Sequence, residues 1–196
     1  MRKSSIALAV AVFWTISLLS LFIALSGSQL FGTISAVASI FAGIGMSALV
    51  WKLDGPASED PQIWKLGIGV VGGAVYAIIN VLILTGSRGS DELEPWMISG
   101  LATYGIWMIL DSEFPAVGAQ RVSRGLEMAI GLGFLLLFVS VLSLGTIGVA
   151  TQAARETSPL MLIAQGVGGV IAYFGFPVWR FLSARRAGPP TAVHET

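Results

Sequence analysis

Residues Ser4–Trp51 read SSIALAVAVFWTISLLSLFIALSGSQLFGTISAVASIFAGIGMSALVW, forty-eight positions without one charged side chain. A helix crossing a ~30 Å hydrocarbon layer uses ~20 mostly apolar residues, so this run holds two crossings rather than one. Ser26-Gly-Ser-Gln29 lies near its middle. Glycine and serine interrupt helices, and a tight hairpin is expected there.

Working outward, charge-free runs recur at Leu66–Ser87, Pro95–Leu110, Met128–Ala154 and Thr157–Trp179, each suited to one crossing. The expected fold class is an all-α integral membrane protein, a bundle of six transmembrane helices. The spans fall at about residues 5–26, 30–52, 63–85, 95–112, 125–149 and 159–182. Composition agrees: 55% of residues are hydrophobic and only 11% charged, with mean hydropathy +0.82, whereas soluble domains carry ~25% charge. A transmembrane β-barrel would show ten-residue alternating segments, and none is present. The polar stretches 53–62 and 86–94 read as plain loops, and the tail 187–196 as disordered.

The net charge is zero, but the charges are segregated. With a cytoplasmic N-terminus, Arg2, Lys3, Lys52, Lys65, Arg121, Arg124, Arg180, Arg185 and Arg186 all lie inside, leaving Arg88 and Arg155 outside. Nine of the eleven basic residues then obey the positive-inside bias, and both termini are cytoplasmic. The alternative is that residues 1–26 form a cleaved leader, although Ile6–Leu25 is longer than the usual 7–15-residue apolar region. The expected location is a prokaryotic cytoplasmic membrane.

Several chemistries are excluded by residue type. There is no cysteine, hence no disulfide, thiolate nucleophile or Cys-based metal site. The single histidine, His194, is the third residue from the end, too far out to build a relay or a metal site within the spans. Gly67-Ile-Gly-Val-Val-Gly72 spells a dinucleotide fingerprint, but that motif needs a strand before it and a soluble βαβ unit around it. Here it reads as membrane-helix packing. No enzyme activity, metal or cofactor is expected.

Small residues recur every four positions in two spans. Gly69, Gly73 and Ala77 lie beside Gly72, Tyr76 and Asn80 in the third; Ala164, Gly168 and Ala172 lie beside Gln165, Gly169 and Tyr173 in the sixth. Gly69, Gly72, Gly73, Gly168 and Gly169 are candidate packing positions, because close backbone approach drives association in lipid. Asn80 and Gln165, the only amides within spans, are candidate solute-binding residues with Tyr76 and Tyr173. Following both helices inward by fours sets Asn80 opposite Gln165, Tyr76 opposite Gly169 and Gly72 opposite Tyr173. Direct packing of the third span on the sixth is therefore expected. Trp14-Thr-Ile-Ser17 against Trp96-Met-Ile-Ser99, and Val71-Gly-Gly73 against Val167-Gly-Gly169, also hint at a 3+3 inverted repeat.

Asp111 follows an apolar run directly. The 16 residues between Glu94 and Asp111 cover about 24 Å as a helix. With Pro95 as first helical residue and Trp96 as anchor, Asp111 falls at the inner hydrocarbon boundary, within reach of Lys65, Arg121 and Arg124. It reads as an interfacial, structural carboxylate rather than a proton or cation site. Glu113 and Glu127 join this inner cluster, with Glu127 near water. Pro177 is expected to bend the last span, with Trp179 and Arg180 at the interface.

The functional expectation is transport or binding of a small solute within the bilayer. The competing expectation is a non-catalytic accessory or sensory subunit of a larger membrane complex. Expected partners are the lipid bilayer and a membrane protein or second copy of the chain, and not nucleic acid.

Overall fold

The structure, a computed structural model, describes residues 3–24, 27–56, 61–87, 90–114, 124–144 and 159–186. They form six helices: α1 (Lys3–Ala24), α2 (Gln29–Asp54), α3 (Ile63–Leu84), α4 (Ser90–Glu113), α5 (Arg124–Leu144) and α6 (Pro159–Arg186). The end of the fifth expected span, 145–149, and the tail 187–196 lie outside the described residues. Five helices are long and apolar enough to cross a membrane. The other, α4, has 24 residues but carries Asp91, Glu92 and Glu94 at its start and Asp111 and Glu113 at its end. It begins five residues before Pro95, where acidic side chains suit the positive end of the helix dipole.

Each helix packs on its neighbours in sequence, and α6 packs on α1, which closes a ring. The contacts run antiparallel. Along α3, Lys65 meets Asp54, Gly69 meets Val50 and Gly73 meets Gly43, so α2 is traversed backwards. One end of the ring gathers the start of α1 and the ends of α2 and α4, and is termed the charged end; the other is the far end.

The expected packing of α3 on α6 is not what forms. α3 lies between α2 and α4, and α6 between α5 and α1, with glycines of both helices already taken up by those neighbours. A Cβ on Gly73 would sit 2.8 Å from the Gly43 carbonyl of α2, and one on Gly72 would sit 2.9 Å from the Gly100 carbonyl of α4. Gly105 and Gly131 cross in the same way between α4 and α5, as do Gly133 and Gly168 between α5 and α6. Four successive interfaces thus hold a glycine pair that lets backbones touch, as lipid-embedded helices commonly do. The α1–α2 interface uses Gly45 under Val10 instead. Gly69 is closed in by Val50 and Trp107, so two of the three glycines in the apparent dinucleotide motif are packing positions and Gly67 faces open space.

Gly169 departs from its expected packing role. The nearest atom to a Cβ there belongs to Tyr173 of the same helix, at 3.9 Å. Nor do the repeat positions share an environment: Trp14 is buried in the core, whereas Trp96 is 63% exposed.

The centre of the ring is a column of rings. Trp14 stands 4.7 Å from Phe176, which also meets Phe134 and Tyr104 at 5.9 Å and Trp179 at 6.0 Å. Pro177 does not end α6, which continues to Arg186. A proline has no N–H for the carbonyl four residues earlier, here that of Tyr173. The Trp14 indole Nε1–H donates to that carbonyl at 3.2 Å. One side chain of α1 thus satisfies the group that Pro177 orphans in α6.

Candidate functional site

Above Trp14, towards the far end, the helices border a partly open cavity of about 820 Å³. Trp14 sits between Tyr76 of α3 and Tyr173 of α6, with ring centroids 5.6 and 5.9 Å away, and these three rings form its floor. Asn80, Gln165, Tyr76 and Tyr173, singled out from the sequence, all line this one space. They come from two helices, α3 and α6, that each pack on other neighbours. Gly169 lines it as well, consistent with the open space above its Cα.

One wall carries a hydroxyl network that the sequence reading missed. The Tyr76 hydroxyl donates to Ser39 Oγ at 3.0 Å, and Ser39 and Ser17 share a hydrogen bond of 2.7 Å. Ser35 Oγ donates to the Ser17 carbonyl at 3.0 Å. Serines four apart on α2 share a face, and Ser17 of α1 is the residue opposite. Asn80 turns its amide nitrogen back to the Tyr76 carbonyl at 2.8 Å, which leaves its oxygen as the acceptor for other groups. Most of the remaining wall is apolar, with Leu18, Leu21 and Phe22 from α1 and Val170 and Phe174 from α6. Glu94 is the one carboxylate among the described residues of the lining.

A second cluster lies below the floor, at the charged end. Lys65 is fully buried, and its Nζ donates to Asp111 Oδ1 at 2.6 Å and to the Phe114 carbonyl at 2.8 Å. Asp54, also fully buried, is 3.3 Å from the same ammonium, an ion pair without hydrogen-bond alignment. Its other oxygen accepts from Trp107 Nε1 at 2.7 Å. Asp111 thus meets Lys65, one of its expected partners, while Arg121 lies outside the described residues.

Three sequence expectations change here. Asp54 is not a loop residue: it ends α2 and is buried where Trp107 and Lys65 converge. Glu127 is not near water but 4% exposed. Arg180 is not at the interface: it turns inward, donates to the Tyr104 hydroxyl and lies 3.7 Å over the Trp179 ring. Glu127 and Asp111 are its electrostatic neighbours. Lys65 ties α3 to α2 and α4 through Asp54 and Asp111, and Arg180 ties α6 to α4 through Tyr104, so the cluster forms a buried plug across four helices.

These features define an all-α bundle with a closed, charged end and an apolar cavity at the other, consistent with a helical membrane protein. Comparison with known proteins finds no match, whether family model, curated sequence or solved structure.

Proposed function

We propose that the chain is a six-span protein of a cytoplasmic membrane, with both termini on the cytoplasmic side, that binds and passes a small solute. The cavity carries this reading. At about 820 Å³ it falls within the ~300–1,000 Å³ typical of small-molecule sites. It has the matching character, an apolar surface onto which a few polar groups converge from different helices. On the positive-inside bias the charged end is cytoplasmic and the cavity belongs to the outer half of the bilayer.

The function is non-catalytic. Among the described lining residues, hydroxyls, amides and one carboxylate offer hydrogen bonds to a bound solute. Passage through the ring requires the floor of Trp14, Tyr76 and Tyr173 to part, and the plug of Lys65, Asp54 and Asp111 is the second barrier. A solid core is what an accessory subunit would show, and a cavity of this size favours solute binding over that role.

The test is recovery of the solute. Wild-type protein and Gly169→Trp, whose indole occupies the cavity, are purified in native lipid and their small molecules identified by mass spectrometry. A species enriched with wild type and lost from an equally stable Gly169→Trp supports the reading; identical profiles refute it.

A further inference from the structure

The seam between α1 and α6 lacks both the glycine pair that crosses four of the other five contacts and the seating of Val10 over Gly45 that closes the fifth. Among the described residues no glycine crosses it as Gly43 and Gly73 or Gly133 and Gly168 do elsewhere. It is held by the Trp14 bond to the Tyr173 carbonyl and by side-chain rings. Both of these anchors lie at floor level. Nearer the far end the seam is bridged by Phe22 of α1 and Phe174 of α6, stacked with centroids 6.4 Å apart. Both rings line the cavity and both are more than half exposed, so each has one side to the cavity and another to the exterior. Beside them, Gly166 and Val170 on α6 also line the cavity and are exposed, and a Cβ on Gly166 would meet nothing within 4 Å.

We propose that the cavity takes an amphiphile dissolved in the bilayer, an apolar body with an uncharged hydrogen-bonding head, which passes sideways between α1 and α6 as Phe22 and Phe174 part. This rests on the cavity being a solute site. A molecule already in hydrocarbon meets only apolar groups along this route. Once inside, its head faces the strip of Ser17, Ser39 and Tyr76, and its body lies against Leu18, Leu21 and Val170. Among the described residues the lining has no lysine, arginine or histidine to hold an anion, and Glu94 repels one. Side-chain contacts alone part more readily than a glycine crossing, because rotamers change while backbone contacts cannot.

Absence of native cysteine makes the test direct. Gly169→Cys reports from the cavity, Gly166→Cys is a second reporter with open space around it, and Gly67→Cys, exposed on α3 away from the cavity lining, is the control. In proteoliposomes each is reacted with pyrene maleimide, which partitions into the bilayer, or with the permanently charged thiosulfonate MTSET. Gly169→Cys and Gly166→Cys are expected to react with pyrene maleimide at rates close to Gly67→Cys, and about 100-fold more slowly with MTSET, the scale on which a fixed charge is excluded from hydrocarbon. Adding Phe22→Ala should speed the pyrene reaction at position 169 several-fold and leave that at 67 unchanged. MTSET reacting as fast as pyrene maleimide overturns the lateral route while leaving a solute site in place. Failure of both reagents at 166 and 169 overturns the route and the site together. An unchanged rate in Phe22→Ala overturns the role of the phenylalanine pair.

Discussion

Trp14→Phe should destabilise the protein chiefly by orphaning a carbonyl in a different helix. Trp14 Nε1–H is the donor to the Tyr173 carbonyl, which lacks its helical partner because residue 177 is proline. Losing that bond removes ~1 kcal/mol, and leaving a buried acceptor unsatisfied adds a further ~1–3 kcal/mol. Interhelical hydrogen bonds measured in lipid are smaller, ~0.6 kcal/mol on average and up to ~1.7. A total of about 2 kcal/mol is therefore expected for the polar part, in addition to the poorer packing of a smaller ring among Tyr76, Tyr173 and Phe176. Pro177→Ala separates the two contributions, because its restored N–H can bond the Tyr173 carbonyl itself. In that background Trp14→Phe should cost only the packing part. The assay is reversible unfolding in mixed micelles by increasing the fraction of sodium dodecyl sulfate, applied to all four members of the cycle. A coupling of ~1–2 kcal/mol is expected. Additivity within ~0.5 kcal/mol would show that the indole does not satisfy that carbonyl.

Three other outcomes are expected. In the charged plug, Lys65→Met leaves Asp54 buried without its cation and should cost ~3–5 kcal/mol. Asp111→Asn keeps an acceptor for Lys65 and should cost only ~1 kcal/mol; equal losses in the unfolding assay would contradict the paired arrangement. On α3, Gly72→Ala drives a Cβ to 2.5 Å from the Tyr104 backbone nitrogen and should abolish folding or cost several kcal/mol. Gly67→Ala, in open space, should be neutral or stabilising by up to ~1 kcal/mol through helix propensity; comparable melting temperatures for the two variants would refute the close α3–α4 approach. Reporter fusions after Arg88 and after Arg186 should signal from opposite sides of the membrane, and same-side signals would refute the six-span topology.

Helix number and placement were legible in the sequence because they follow from where charges are absent. The clustering of Asn80, Gln165, Tyr76 and Tyr173 was half legible. Polarity within apolar spans marked the residues, and equal depth marked the level, but depth does not say whether two helices touch or face each other across a gap. Equal spacing of small residues carried the same ambiguity. Gly168 and Gly169 are adjacent in sequence, yet one is pressed against α5 and the other faces the void. Trp14 was illegible, since nothing within an apolar run separates the tryptophan at the centre from one facing lipid. Pro177 offered a faint signal, because an orphaned carbonyl in a membrane helix demands a donor from somewhere. The serines at 35 and 39 were a clearer one, a four-residue polar repeat in a span that otherwise has no need of it. Asp54 was hidden because it sits in a loop-like string whose first polar residue is still helical.

The central claim, an open cavity where α3 and α6 face each other, is tested most directly by two substitutions one residue apart. Gly169→Leu adds a side chain into empty space and should change stability by less than ~0.5 kcal/mol, whereas Gly168→Leu meets the Gly133 carbonyl and should fail to fold. Equal damage from both would mean that α6 buries its Gly169 face in a solid core, and that the cavity does not exist.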